Sequence, residues 1–290
     1  MAQGDFTRIN TNIAALNALN SLKNVQTKLG VAQLRLSTGK RINESADDPA
    51  GLTIATKFQY RASGLGAALD NIGDAKNMLA VAEGGLQKIN DILTQMRDKA
   101  VQAASDTLGT DERNAIYNQL KQFRDEIDSI VNTTKWNGNK LLDGLASFTG
   151  TQVVFQVGAD TASDDRITLS SSDFGSVVAS SSTGLNLTDS NITVSNATNA
   201  QTAVDNLTSA ISTVSSRLQT IGGLVSRLNY REETVTVSKV NTEAAYSRIM
   251  NADMAYEQLE ATKLQILQQT ATAMLAQANT APQGVLQLFR

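Results

Sequence analysis

Apolar residues return along this chain in alternating steps of four and three, and the clearest run lies at the carboxyl end. Leu264, Leu267, Ala271, Met274, Ala278, Ala281, Val285 and Leu288 form one seam. That spacing keeps a single helical stripe turned toward a partner helix. The seam is rich in Ala, which permits close approach. The opposite face, with Gln265, Gln268, Gln269 and Thr272, offers hydrogen bonds without charge, and after Lys263 the next charge is Arg290. The apolar stripe of such a helix has nowhere to go when the helix is alone. The pattern predicts a helix completed by other chains.

The amino end has the same character. Residues 9–36 predict a helix in which Ala15, Leu22, Leu29 and Leu36 recur at heptad intervals, with Leu19 between the first two and Ala18, Val25 and Ala32 alongside. No charge falls between Arg8 and Lys23, and Asn and Thr take the outer positions. A two-stranded coiled coil ordinarily carries Glu and Lys on its exposed faces, so burial in an assembly explains this stretch better. Gly39 is a natural helix stop. Asp48 followed by Pro49 has the form of an N-cap and a first helical position.

From Pro49 the longest periodic pattern runs to residue 105: Ala55, Phe58, Ala62, Leu65, Leu69, Ile72, Leu79, Ala82, Leu86, Ile89, Leu93, Met96, Ala100 and Ala103, broken only at Lys76. A continuous helix of that length spans about 80 Å at the standard rise. Gly64, Gly66, Gly73, Gly84 and Gly85 should weaken it locally. "SDTLGT" at 105–110 ends it, and 111–131 predicts a shorter helix with Ile116, Leu120, Phe123, Ile127 and Ile130 on one face. Asn137–Gly138 is a strong turn signal. Over 150–195 the period changes: "TQVVFQVG", "DRITLSS" and "LNLTDSNITVS" predict short strands, with Ser-rich surface loops at 170–172 and 180–183. Helical rhythm resumes near 200 with Ile211, Val214, Leu218, Ile221, Val225 and Leu228, and continues less regularly into the terminal segment. The fold class is mainly α: long antiparallel helices in a coiled-coil-like bundle, with a small β-hairpin insert. If the long helices pack antiparallel, the two ends lie together.

Composition narrows the chemistry. The 290 residues contain no Cys and no His. That removes disulfides, thiolates and the commonest general base and metal ligand. No cofactor, metal or catalytic residue is assigned, and an enzyme is the least expected reading. Paired acids such as Asp47–Asp48, Asp164–Asp165 and Glu232–Glu233 fit caps, turns and solvated faces. Net charge is −3 with dispersed Lys and Arg, which speaks against nucleic acid. No apolar run reaches membrane-spanning length, and the amino end lacks the pattern of a secretory leader. The protein is therefore expected to stay inside the cell or to leave without a cleaved signal.

Three stretches resemble bacterial flagellin: "FTRINTNIAALNALNSL" at 6–22, "RLSTGKRINESADDPAGLTIATKF" at 35–58, and the run from Ser247 to Arg290 with its Gln265–Gln269 and Leu275–Asn279 segments. The middle of the chain leaves no room for large outer domains. The resemblance implies a subunit that self-assembles into the extracellular flagellar filament for motility. Residues 1–44 with 246–290 would form the terminal helical core of the filament's inner tubes, and 45–245 the surrounding helical domain, with its hairpin region at about 140–195. Packing in that core falls to Ile9, Ile13, Leu16, Leu22, Leu29, Leu36, Leu264, Leu267, Ala271, Met274, Ala278, Val285 and Leu288. Gly39, Asp48 and Pro49 form the loop and helix restart. Implied partners are other copies of the chain, the flagellar type III export apparatus, an export chaperone, and the cap and hook-junction proteins. An innate-immune, Toll-like flagellin receptor is a further partner, engaged weakly. Gln95, Lys99 and Gln119 stand where the receptor-facing family pattern has Arg, Leu and Glu, while Arg97, Ala100 and Val101 match it. The rival readings are a hook–filament junction protein, disfavoured by the continuous match through 35–131, and another type III-exported coiled-coil protein. A metallopeptidase insert would need a His-Glu-x-x-His helix, and there is no His.

Overall fold

The structure, a computed structural model, describes residues 12–146, 148, 152–170 and 175–287, with side chains as far as Thr280. Ile9 and Leu288, and the side chains of Ala281 and Val285, lie outside the described residues. So do residues 171 and 172 of the first Ser-rich loop. The order of elements is α1 (Ile13–Thr38), α2 (Pro49–Ala103), α3 (Thr110–Thr133), β1 (Lys135–Trp136), β2 (Asn139–Lys140), β3 (Gln152–Gln156), β4 (Arg166–Ser170), α4 (Ala197–Met250) and α5 (Met254–Gln287). The fold is mainly helical, as the periodicity predicts.

The chain divides into two compact units. One comprises the residues up to Tyr60 and those from Asn241 on, the other Arg61–Val240. The sequence placed the junctions at 44/45 and 245/246; these divisions fall inside α2 and α4 instead. The reason is local: Leu52 and Ala55 of α2 pack with Ile42, Tyr246, Ile249 and Met250. The first turns of α2 therefore belong with the terminal unit.

In the Arg61–Val240 unit, α2 buries Leu65, Ala68, Ile72, Ala75, Leu79, Ala82, Leu86, Ile89, Leu93, Met96, Ala100 and Ala103. The steps of three and four never slip. Ala200, Ala203, Leu207, Ala210, Val214, Ile221, Leu224 and Leu228 of α4 join the same core, as do Ile116, Leu120, Ile127 and Val131 of α3. At the break expected at Lys76 the buried position is held by Ala75; Lys76 beside it is half-buried and donates to Glu232 Oε2 of α4 at 2.8 Å. The glycines do not interrupt α2, because a continuous buried stripe outweighs their intrinsic cost. Gly85 has a packing role as well: a Cβ there would lie 2.9 Å from Leu142 Cδ1 and from Thr134 Oγ1.

Asn137 and Gly138, both at positive φ (49° and 83°), turn β1 into β2, the two-residue hairpin that this pair favours. β3 and β4 form a second antiparallel hairpin, with Val154 opposite Thr168 and Phe155 opposite Ile167. The third expected strand, at 185–195, is not one. Leu185 and Leu187 are buried at alternate positions, as in a strand, and so are Ile192 and Val194, but the parity changes between the two pairs. The Leu185 and Leu187 amides donate to the Val178 and Ala179 carbonyls, but the chain then turns, with the Asn191 and Ile192 amides bonded back to Thr188. Helical rhythm also does not run unbroken into the terminus. It stops after Met250 and restarts at Met254, where Asp253 Oδ1 accepts from the Ala255 and Tyr256 amides.

Candidate assembly surface

In the terminal unit α1 and α5 pack antiparallel. At one end Asn12 caps α1 by accepting from the Ala15 amide, and its side-chain amide donates to the Ala278 carbonyl at 2.8 Å. At the other end Arg35 meets Glu257 at 3.3 Å, with the carboxylate side chain only 8% exposed. Between them Leu29 and Ala32 of α1 and Ala261 and Leu264 of α5 are buried, with Val25 and Leu36 packed beside them. Ala15, Ala18 and Leu22 on α1, and Gln268, Ala271, Leu275 and Ala278 on α5, continue the stripe half-buried. A single ion pair in an otherwise uncharged seam favours one register over its neighbours, since a slip would strand a buried carboxylate.

The residues assigned to packing from the sequence thus divide between two faces. Leu22, Leu29, Leu36, Leu264, Ala271 and Ala278 lie on the faces that α1 and α5 turn to each other. Ile13, Leu16, Leu267 and Met274 lie on the free side, at 57%, 59%, 42% and 64% exposure. Leu34, Tyr256, Leu259 and Ile266 are exposed as well. Beyond Lys263, α5 carries no charge in its described length. The Ile13–Leu22 stretch of α1 carries none either.

The loop between α1 and α2 closes the unit. Gly39, at φ 69°, ends α1 with its amide on the Arg35 carbonyl. Asp48 Oδ1 accepts from the Gly51 amide at 2.9 Å, ahead of Pro49 at the first position of α2. Asp47 Oδ2 accepts from the Asn43 and Glu44 amides. Those two bonds, with a smaller contribution from the charge of Arg35, hold its carboxyl below the ordinary 3.8. The loop also grips the α4–α5 break: the Arg41 amide donates to the Met250 carbonyl, the Ala252 amide to Gly39, and the Arg41 guanidinium to the Ile249 carbonyl at 2.9 and 3.1 Å. Sequence reasoning missed this clasp and the Arg35–Glu257 pair. Asn251 and Asp253, both capping residue types, were the available signal for the break.

The receptor-facing candidates are not gathered into one cluster by bonds among themselves. Gln95 and Arg97 are exposed on α2, and Arg97 Nε donates to Thr208 of α4 at 3.3 Å. Lys99, half-exposed, reaches Gln102 within its own helix, and Gln119 is half-exposed on α3. Ala100 is fully buried and presents nothing to a partner.

Comparison with known proteins matches this architecture at both ends. Residues 9–147 fit the family model for the bacterial flagellin N-terminal helical region, and residues 194–289 the one for the bacterial flagellin C-terminal helical region. A flagellin of Bacillus subtilis (strain 168) is 36% identical over 306 residues, spanning 98% of this chain and 100% of that one. A flagellin of Listeria monocytogenes serovar 1/2a is 34% identical over 296 residues, spanning 97% of this chain and 99% of that one. A solved structure described as a flagellar hook-associated protein of Vibrio parahaemolyticus shares the fold, with a TM-score of 0.58 at 18% identity over 71% of this chain and 100% of that one. Near-full-length relatives and both terminal regions agree: the chain belongs to the bacterial flagellin family, the structural subunits of the extracellular flagellar filament.

Proposed function

We propose that the free apolar side of the α1–α5 pair is the surface by which copies of this chain pack in the filament core. The observation that carries the reading is the exposure of Ile13, Leu16, Leu267 and Met274 on two stretches without charge, Ile13–Leu22 of α1 and 264–287 of α5. Each face left open by the antiparallel pair meets another subunit, where an unpaired charge would be costly. Family membership supports the further partners: export through the flagellar type III apparatus without a cleaved leader, a chaperone that covers the free surface before assembly, and the cap and hook-junction proteins at the filament ends.

Leu267→Asp and Met274→Asp test the packing surface. Both side chains are exposed in the single chain, so either variant should remain a folded, soluble monomer with unchanged circular dichroism. Neither should polymerise when seeded with wild-type filament fragments. Normal filaments from either variant, seen by electron microscopy, would show that this surface is not the contact. Leu264→Asp is the contrasting control. That residue is 4% exposed against α1, so its substitution should loosen the α1–α5 pair itself, with a loss of helicity in the monomer.

A further inference from the structure

In the Arg61–Val240 unit a cleft of about 560 Å³ lies between the β3–β4 hairpin and α4. Its volume is in the range of small-molecule sites. From α4 come Arg227, Tyr230, Arg231 and Thr234, whose spacing puts them on one helical face. Tyr230 is 73% exposed. From the hairpin side come Ser163, Asp164 and Arg166. Two of the three guanidinium groups are positioned by the fold: Arg231 donates to the Asp164 carbonyl, and Arg166 Nε donates to Gln156 Oε1 at 3.3 Å across the strand pair. Asp165 is engaged elsewhere, its carboxylate accepting from the Asp160 amide. The cleft thus holds three guanidinium groups and one carboxylate, beside an open aromatic ring and two hydroxyls.

We propose that this cleft binds an acidic saccharide, a pyranose unit bearing a carboxylate or a sulfate. Guanidinium forks match either oxyanion in bidentate geometry. The Tyr230 ring gives a flat apolar face to the C–H groups of a sugar ring. Asp164 selects among anions: it repels a ligand that is negative throughout, and it accepts hydrogen bonds from hydroxyl groups. A sugar with one anionic group and several hydroxyls satisfies both halves of the lining. This site is distinct from the α1–α5 surface, and its test is independent of assembly.

The experiment is calorimetric titration of full-length monomer with an oligogalacturonate, a heparin-derived oligosaccharide, a neutral oligosaccharide of equal length, and inorganic sulfate. The variants are Arg227→Gln and Tyr230→Ala, neither of which holds the hairpin, with circular dichroism to confirm folding. Binding of at least one acidic oligosaccharide, none of the neutral one, and weakening of about tenfold or more in Arg227→Gln is the expected result. Comparison of the uronate with the sulfated probe tells which oxyanion is preferred. Three outcomes would overturn the proposal: no binding of either acidic probe, binding unchanged in both variants, or inorganic sulfate competing as well as the saccharide.

Discussion

Asp47 shows how a single carboxylate ties a loop to pH. Its folded-state pKa is depressed by the Asn43 and Glu44 amides. A depressed carboxylate stabilises the fold above its unfolded value, and that contribution disappears as pH falls through the lower, folded value. The loop bonds should therefore be complete above the ordinary 3.8 and open only below it. The amide resonances of Asn43 and Glu44, followed by NMR from pH 6 to pH 2, should titrate together with a midpoint below 3.8. In Asp47→Asn that transition should vanish. A second residue-level prediction concerns the innate receptor. If Gln95, Lys99 and Gln119 stand where the receptor-facing pattern of the resemblance has Arg, Leu and Glu, each replacement would remove a contact worth on the order of 1–3 kcal/mol. Monomeric protein should signal weakly in a reporter cell assay, and the triple variant Gln95→Arg, Lys99→Leu, Gln119→Glu should gain signal. Strong signalling by the natural chain would refute this.

Helix α2 shows why glycines of one element differ in consequence. Gly84 has open space where a Cβ would stand, whereas Gly85 faces the buried Leu142 and the half-buried Thr134. Gly84→Ala should stabilise by about 0.5–1 kcal/mol, through helix propensity and a less flexible unfolded chain. Gly85→Ala should destabilise by about 1–3 kcal/mol, because a fully buried Leu must move. Thermal melts of the two variants should shift in opposite directions, and equal shifts would mean that α2 and the 134–142 segment do not approach this closely. Adjacent identical residues in the sequence carry no sign of this difference; it arises from what packs against each.

The whole molecule pairs a large core with a thin one. The Arg61–Val240 unit buries a continuous stripe on three helices. The α1–α5 pair fully buries little more than Leu29, Ala32, Ala261, Leu264 and Glu257. Segments with few buried apolar contacts open at low free energy. In free monomer, trypsin should therefore cut at Lys23, Lys28 and Lys263 before any site in 61–240, leaving a helical core fragment. In filaments the same sites should be protected, because neighbouring copies supply the missing burial. A monomer that survives digestion at full length would contradict this account.

Periodicity alone was enough for the helices, since burial on one face forces a repeat that survives in the primary structure. It placed α1, α2, α3 and much of α4 and α5 to within a few residues, and Gly39, Asp48, Pro49, Asn137 and Gly138 marked ends and turns by backbone preference. It could not separate a strand from an irregular segment at Leu185–Val194, because Leu185 with Leu187 and Ile192 with Val194 each alternate as a strand does, and the turn between them shows only in where the Asn191 and Ile192 amides bond. Nor could it say which copy of a helix an apolar residue faces. Leu264 and Leu267 look alike in one dimension; one is sealed against α1 and the other is left open. The Arg41 clasp and the Arg35–Glu257 pair join residues some two hundred positions apart, and such partners become visible only when the chain is folded.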